Sequence, residues 1–317
     1  MVYTNYEKTC VILIVIIIFV ILYLLINHRD YTSRHYDNIN RELPSTSTKH
    51  RIGLKPRWVI CCAFLLEYDS LIKCFDHPPK EYIEYGIKYA VGTIQKLPCI
   101  LCNVGISIVN ASRGSQFIID LIGPSQILGM IFMGIAGSVN KNIKDGDVIC
   151  PESWVYYGHQ LYREYGSQTT SLIEGLPISY QPPFRCDNSE QYILKTYQLT
   201  ENGTENYIKK YRVDRRLYKI AKSINLEYFK TGGIGLSAPI FQADPTYINY
   251  LKSTISQNLT IVDEETTAIA HTCIFYQIPW IGIRLVSDVE VNGSNESIQI
   301  NRLQQACSSL FISLNSI

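Results

Sequence analysis

Four short apolar runs constrain the fold of this chain more than any other feature of its sequence. They are Trp58–Leu66, Pro98–Val104, Leu128–Met133 and Trp280–Ile283, and none of them alternates regularly between polar and apolar residues. Such runs indicate strands that are buried on both faces, which is typical of parallel sheets. A helix is predicted between the second and third runs, from Asn110 to Leu121. This order of strands and helices predicts an α/β domain with a largely parallel sheet.

The third run leads into Gly134-Ile135-Ala136-Gly137, which we interpret as a tight turn at the end of a strand. Small residues there would let a ligand approach the backbone, but a tight turn alone requires the same residues. The spacing is not Gly-x-Gly-x-x-Gly, so it does not favour a dinucleotide site. Residues 151–230 are aromatic and polar without a clear period, and we interpret them as an irregular insertion.

The N-terminal part of the chain is predicted to anchor it to a membrane. A run of 17 residues without a charge, CVILIVIIIFVILYLLI, follows a short tail over residues 1–9. Its length is at the short end of what spans a bilayer, and no small-residue cleavage site follows it. We therefore interpret residues 10–27 as a transmembrane signal anchor, residues 28–56 as a polar linker and residues 57–317 as the globular domain.

The flanking charges determine the orientation of this anchor poorly, since Arg29 and Arg34 only slightly favour a cytoplasmic domain. Sequons for N-glycosylation would be used only in a lumenal domain. They include Asn202, Asn258, Asn292 and Asn295. We expect the domain on the lumenal or extracellular side, and secreted if the N-terminal segment is cleaved.

The composition argues against several classes of function. The formal net charge is +1 and no basic stripe is present, so nothing indicates a nucleic-acid partner. The ten cysteines lack a zinc-type arrangement with histidine, which favours buried thiols over metal ligands. The chain has neither the Gly-x-Ser-x-Gly elbow of a serine hydrolase nor a P-loop. We expect neither a metal nor an organic cofactor.

Carboxylates are concentrated in residues 262–288. Asp263, Glu264 and Glu265 precede a pattern that predicts a helix, and Asp288 follows the fourth apolar run. Because open α/β sheets bind ligands beyond the carboxyl ends of their strands, this arrangement could place two carboxylates in one pocket. Acids in a first helical turn are also favoured by the helix dipole, and Asp288 could cap a following helix. The residues alone leave both interpretations open.

Three segments in the same order resemble the nucleoside phosphorylase and nucleosidase superfamily, especially its methylthioadenosine/S-adenosylhomocysteine nucleosidases and plant bark-storage-protein relatives. The segments are residues 58–71, 128–148 and 262–288. The last is the most specific, because acid-x-Glu-x-x-Ala-x-Ala and Ile-Arg-x-x-Ser-Asp recur together in that family. The resemblance implies a three-layer α/β fold, with a central mixed sheet flanked by helices, that cleaves the N-glycosidic bond of a purine nucleoside.

The resemblance also implies roles for individual residues. Asp288 corresponds to the general acid that protonates the purine at N7, and Glu67 to the carboxylate that orients and activates water. Glu265 corresponds to the glutamate that binds the ribose hydroxyls, with Glu264 beside it. The residues expected next to the base are Phe241, Gly134, Ala136, Gly137 and Ser287.

Three departures from the family pattern bear on these roles. The family commonly has methionine where this chain has Glu264, and serine where it has Val104. The phosphate loop of the phosphorylases, Gly-x-Pro-x-Arg, is absent after the first strand, where Ala63-Phe64-Leu65 stands instead. Its absence favours hydrolysis over phosphorolysis.

A non-catalytic storage or nucleoside-binding protein on the same fold is the alternative, and the first two departures favour it. The three retained acids favour an enzyme. Relatives assemble as oligomers, so the resemblance also implies a homo-oligomer.

Overall fold

A sheet of 12 strands lies at the centre of the part of the chain that the structure describes. The structure is a computed structural model, and it describes residues 55–316 except 159, 165–175, 181–188, 194–195, 200–204, 209, 241–244 and 288–295. The strands are β1 (Arg57–Cys62), β2 (Lys80–Glu84), β3 (Ile87–Ile94), β4 (Leu97–Asn103), β5 (Ile127–Ser138), β6 (Val148–Cys150), β7 (Ser153–Tyr156), β8 (Gln160–Glu164), β9 (Leu176–Tyr180), β10 (Ser189–Ile193), β11 (Thr196–Leu199), β12 (Glu205–Ile208), β13 (Tyr211–Arg212), β14 (Phe229–Thr231), β15 (Ile234–Ser237), β16 (Leu259–Asp263) and β17 (Trp280–Val286). The helices are α1 (Leu65–Leu71), α2 (Ser107–Ile122), α3 (Arg215–Ala221), α4 (Pro245–Thr254), α5 (Thr266–Phe275) and α6 (Glu296–Asn315).

The sheet is mixed, as the resemblance implied. The strands β4, β1, β5 and β17 run parallel to their neighbours in its centre. β16 pairs antiparallel with the end of β5, and β6 pairs antiparallel with β17. The hairpin of β2 and β3 extends the sheet antiparallel beyond β4. The central parallel strands therefore carry the α/β pattern that the apolar runs predicted.

The central strands are covered on both faces. Every residue of β17 is buried, and so are all residues of β1 after Arg57. Because successive side chains of a strand point to opposite faces, uninterrupted burial requires cover on both. Helices α1 and α3 pack against α6, while α2 packs against α5. These two groups of helices provide much of that cover.

The first strand is shorter than predicted. We expected a strand from Trp58 to Leu66, but β1 ends at Cys62 and α1 begins at Leu65. The side chain of Glu67 explains this boundary, because its Oε2 accepts hydrogen bonds from the backbone N–H groups of Ala63 and Phe64, at 2.6 and 3.3 Å. Backbone donors that would be unpaired at the start of a helix are thereby satisfied.

The predicted turn at residues 134–137 was wrong, because β5 continues as a strand through Ser138. Position 134 must be glycine because its neighbours leave no space for a side chain. A Cβ atom on Gly134 would overlap the Glu67 carboxylate and lie 2.6 Å from Nη1 of Arg284. The small residue thus lets two buried side chains approach the backbone of a continuous strand.

Residues 151–230 are not uniformly irregular, which corrects the interpretation as an irregular insertion. Their two ends belong to the large sheet, where β7 pairs with β15 and β14 pairs with β6. Between them, β8, β9 and β10 form a separate three-stranded sheet, and β11 pairs with β12. The aromatic and polar composition of this segment shows no clear apolar period, so these short strands could not be identified from the sequence.

The predicted membrane anchor over residues 10–27 lies outside the described residues. Within the described ranges, no helix combines the length and apolar character needed to cross a bilayer.

We predict that Gly134→Ala destabilises the protein by about 1–3 kcal/mol, because the added methyl group must displace the Glu67 carboxylate or Arg284. Gly137→Ala is the matched control, since a Cβ there would meet nothing closer than Cγ1 of Val262 at 3.4 Å. Urea unfolding of the two variants and the wild type measures the difference. Equal stability of the two variants would contradict this account of β5.

Candidate active site

A cavity of about 300 Å³ opens beyond the carboxyl ends of the central parallel strands. Open α/β sheets bind their ligands in this position. The walls come from the start of α1, the end of β5, the junction of β16 and α5, and the end of β17. The lining residues are Ala63, Phe64, Glu67, Ile106, Ile135, Ala136, Gly137, Ile240, Val262, Asp263, Glu264, Glu265, Arg284 and Ser287. An apolar wall with a few convergent charged groups is typical of a small-molecule site.

Glu67 is buried at the inner end of α1, with 1% of its surface exposed. Its Oε1 accepts a hydrogen bond from the backbone N–H of Ile135 at 2.6 Å. β1 accompanies β5 only as far as Phe132, so the carboxylate takes the place of a neighbouring strand beside Ile135. Burial raises the pKa of Glu67, although Arg284 and the backbone donors oppose this rise.

Glu265 lies at the N-cap position of α5 and is also buried. Its Oε1 accepts a hydrogen bond from the backbone N–H of Ser107 at 3.0 Å, and its Oε2 lies 3.2 Å from Nη2 of Arg284. Ser107 has a φ of 78°, a left-handed conformation that is uncommon for serine. Burial raises the pKa of Glu265 to about 7 against the lowering effect of the Arg284 charge. The negative charges of Asp263 and Glu67 add to the rise, and the hydrogen bond from Ser107 opposes it.

Arg284 connects the acids, and sequence analysis assigned it no role. It is 1% exposed, and its Nε lies 3.3 Å from Oδ2 of Asp263. Nη2 also donates to the backbone carbonyl of Ile135 at 2.5 Å, and the guanidinium lies 4.2 Å from the centre of the Phe132 ring. Nη1 lies over Gly134 and has no hydrogen-bond partner among the described residues. The signal was present in the sequence, because a charge inside an apolar strand must be paired when the strand is buried.

The three consecutive acids have different surroundings. Asp263 ends β16, and its Oδ1 accepts hydrogen bonds from the backbone N–H groups of Glu265 and Thr266, both at 3.2 Å. The hydroxyl of Ser237 donates to the same oxygen at 2.5 Å. Asp263 is therefore engaged in capping α5. Glu264 is half-buried on the cavity wall, and burial followed by the charge of Asp263 raises its pKa.

The other predicted site residues fall into two groups. Ala136, Gly137 and Ser287 line the cavity, whereas Gly134 lies behind it against Glu67 and Arg284. Asp288 and Phe241 lie outside the described residues. Each directly follows a lining residue in the chain, Ser287 and Ile240 respectively. The structure thus brings together Glu67, Glu264 and Glu265 and leaves the roles of Asp288 and Phe241 as predictions.

No cluster of three or more His, Cys, Asp or Glu side chains with the arrangement of a metal site occurs in the described ranges of the chain. The cavity carboxylates are instead engaged by Arg284 and by backbone N–H groups. The described lining of the cavity supplies carboxylates, one guanidinium and oriented backbone donors.

We predict that Glu265→Gln changes how stability depends on pH. The folded protein retains the Glu265 proton up to about pH 7, whereas the unfolded chain releases it near pH 4.5. The free energy of unfolding of the wild type therefore falls as pH rises between these values, and the variant lacks this fall. Relative to wild type, the variant should gain roughly 1–3 kcal/mol over this interval.

Urea unfolding at several pH values measures this change. Glu81→Gln is a control of opposite sign, because Lys88 holds the pKa of exposed Glu81 below its ordinary value. The charge of Glu81 stabilises the wild type and is lost as pH falls. As pH rises, the free energy of unfolding of Glu81→Gln should therefore fall relative to that of the wild type. A Glu265→Gln curve parallel to the wild-type curve would show that Glu265 ionises normally in the folded protein.

Comparison with known proteins agrees with the fold. The model of the Phosphorylase superfamily matches residues 57–311. The 5'-methylthioadenosine/S-adenosylhomocysteine nucleosidase of Buchnera aphidicola subsp. Schizaphis graminum is 26% identical over 218 residues, which cover 68% of this chain and 77% of that protein. The nucleosidase of Buchnera aphidicola subsp. Acyrthosiphon pisum (strain Tuc7) is 29% identical over 223 residues, covering 69% and 81%.

Solved structures share the fold at lower identity. The Streptococcus pneumoniae nucleosidase of the same type, bound to a transition-state inhibitor, aligns with a TM-score of 0.60 and 19% identity over 81% of this chain and 99% of that one. The futalosine hydrolase of Helicobacter pylori aligns with a TM-score of 0.60 and 17% identity, covering 83% and 98%. These relatives support an enzyme of the glycosylase and hydrolase class. Because the family match extends over nearly the whole described domain, the chain belongs to the Phosphorylase superfamily.

Proposed function

We propose that this protein hydrolyses the N-glycosidic bond of a purine nucleoside, with 5'-methylthioadenosine as the first candidate. The observation that carries the proposal is the convergence of Glu67, Glu265 and Arg284 on one cavity. Asp288, the predicted general acid, follows the lining residue Ser287 in the chain. The related nucleosidases support the same reaction class.

Glu265 is suited to bind the ribose. Its carboxylate is held in place by the N–H of Ser107 and by Arg284, so it is oriented before a ligand arrives. A carboxylate accepts hydrogen bonds from sugar hydroxyls, and its charge stabilises the positive charge that develops on the sugar as the bond to the base breaks. Because it is preorganised, this interaction requires little rearrangement in the transition state.

Glu67 is suited to activate the attacking water. Its pKa is raised towards neutral pH, and a general base is most effective when its pKa lies near the working pH. Nη1 of Arg284 faces the same Gly134 as Oε1 of Glu67 and has no partner among the described residues. Glu67 also lines the cavity, so a water held in the cavity could donate a proton to its carboxylate.

The leaving purine requires a proton donor, because its departure as an anion is unfavourable. We assign this role to Asp288, and the stacking contact with the base to Phe241. The carboxylic acid would protonate N7 as the glycosidic bond lengthens, so that the base leaves neutral. Both assignments rest on the family motif and on the position of these residues next to Ser287 and Ile240.

Hydrolysis is favoured over phosphorolysis by the charges in the cavity. Phosphate is an anion and requires cationic or N–H donors. The described lining residues include four carboxylates, those of Glu67, Asp263, Glu264 and Glu265, but a single arginine that is already paired with two of them. Water is therefore the nucleophile that these walls accommodate best.

We predict that the purified protein releases adenine from 5'-methylthioadenosine or adenosine, and that inorganic phosphate does not increase the rate. Chromatographic measurement of free adenine, with and without phosphate, tests this. Phosphate-dependent release accompanied by the 1-phosphate of the substrate's sugar, 5-methylthioribose 1-phosphate or ribose 1-phosphate, would indicate a phosphorylase. Nucleoside binding without release would indicate a binding or storage protein, the alternative that Glu264 and Val104 favour.

In the same assay, Asp288→Asn should lower turnover by about 100-fold or more, because general acid catalysis contributes factors of this size. The matched control is Asp120→Asn, the same change on the exposed surface of α2, which should leave turnover unchanged. Circular dichroism checks that both variants fold. Wild-type turnover in Asp288→Asn would disprove the assigned acid.

We also propose that residues 10–27 anchor the domain to a membrane with the domain on the lumenal side, and that the chain forms a homo-oligomer. Asn258 is exposed, so a glycan could be attached there in a lumenal domain.

We predict that the full chain remains in membranes after alkaline carbonate extraction, and that glycosidase treatment increases its gel mobility unless Asn258 and the other sequons are removed. Release by carbonate, or unchanged mobility, would contradict the anchor or the orientation respectively.

A further inference from the structure

Glu264 differs from the other carboxylates of the described cavity lining in how it is engaged. Glu67 accepts hydrogen bonds from three backbone N–H groups, and Asp263 and Glu265 both pair with Arg284. Within the described ranges, no hydrogen bond or ion pair joins Glu264 to another residue. Its side chain lies half-buried on the cavity wall, so its acceptor oxygens are available to a ligand.

The described walls around Glu264 do little to offset its charge. Most of the described lining is apolar, as at Phe64 and Ile240. Its single arginine, Arg284, is already paired with two other acids. Apolar side chains screen a charge less than water does, so the Glu264 carboxylate acts strongly on any charged group that enters the cavity.

We propose that Glu264 selects substrates by the charge of the 5' substituent on the sugar, favouring a cationic group such as an ammonium and rejecting an anionic group such as a carboxylate or phosphate. An ammonium donates hydrogen bonds to the Glu264 oxygens, whereas an anion beside them is repelled. Neutral nucleosides, among them 5'-methylthioadenosine, lie between these two classes. This inference rests on the proposed nucleoside site and names the class of substrate that the site takes.

The position of Glu264 in the chain places it beside the sugar. Glu264 and Glu265 are consecutive residues between β16 and α5, and both line the cavity. In the proposed function, Glu265 binds the ribose hydroxyls, and the contacts with the base belong to Phe241 and Asp288. The part of the sugar that is left to meet Glu264 is therefore its 5' substituent.

The same inference gives a functional reason for one departure from the family pattern. Methionine, which the family commonly has where this chain has Glu264, is neutral and does not distinguish substrates by charge. A glutamate at that position keeps a flexible side chain of similar length and adds one negative charge. The substitution therefore changes which ligands the cavity accepts without requiring a different shape of the wall.

The test uses the purified full-length chain and nucleosides that differ only at the 5' carbon, namely 5'-amino-5'-deoxyadenosine, adenosine and adenosine-5'-carboxylic acid. At neutral pH their 5' groups are positive, neutral and negative. Adenine release gives kcat/KM for each nucleoside, and titration calorimetry gives each Kd. Dividing every value by that for adenosine cancels a general loss of activity in a variant.

In the wild type, we expect the amine to bind most tightly and the carboxylate most weakly. Glu264→Gln should reduce the preference for the amine over adenosine by about tenfold, because one unit charge at a few ångström in a partly screened site has an effect of this size. The discrimination against the carboxylate should weaken by a similar factor.

Two further variants separate the charge of Glu264 from other effects. Glu264→Asp keeps the charge and should keep the order of the three nucleosides. Glu227→Gln is the matched control, since it removes the same charge from an exposed residue outside the described cavity lining and should leave the ratios unchanged.

The outcomes distinguish this inference from the proposed function. If adenine is released but the wild type does not discriminate by charge, or Glu264→Gln keeps the wild-type ratios, the role of Glu264 is wrong and hydrolysis stands. If no nucleoside releases adenine, hydrolysis is wrong, and the order of the Kd values still decides the role of Glu264. Binding of none of the three nucleosides would overturn both.

Discussion

The buried guanidinium of Arg284 is the interaction on which the arrangement of this site depends. It lies between Asp263 at the end of β16 and Glu265 at the start of α5, and it bonds the backbone of β5. Removing one partner of a buried ion pair leaves an uncompensated charge, which costs several kcal/mol. Three elements of secondary structure are therefore held in register by one side chain, and the acid expected to bind the ribose is oriented by the same contact.

Much of the fold and the position of the site could be predicted from the sequence. A buried strand such as β17 can be recognised from its own apolar run, and a helix such as α5 from the spacing of its own apolar residues. The cluster of acids before that helix lies on one wall of the cavity. These signals are local, since each depends on the composition and period of one segment.

The parts that could not be predicted depend on contacts between distant segments. The end of β1 at Cys62 depends on the position of Glu67, whose carboxylate also accepts a hydrogen bond from the backbone N–H of Ile135 in β5, 68 positions away. The glycine at position 134 suggested a turn, but it is needed because Glu67 and Arg284 leave no space for a side chain and not because the backbone takes an unusual conformation. Local composition does not distinguish Asp263, Glu264 and Glu265, although the family motif singles out Glu265. The contacts with Ser237, Ser107 and Arg284 give Asp263 and Glu265 their different surroundings. Such contacts join residues that are many positions apart, so no window of sequence contains them.

The close approach of Glu67 and Arg284 over Gly134 has a consequence for how this site can change over evolutionary time. The Glu67 carboxylate and the Arg284 guanidinium lie so close to the backbone of Gly134 that no side chain fits there. The residues allowed at these three positions therefore depend on one another. A larger residue at position 134 becomes tolerable only alongside a shorter acid at position 67 or a smaller group at position 284. In diverging copies of this chain, changes at these positions should therefore be acquired together, and a lineage that keeps the acid and the arginine should keep the glycine.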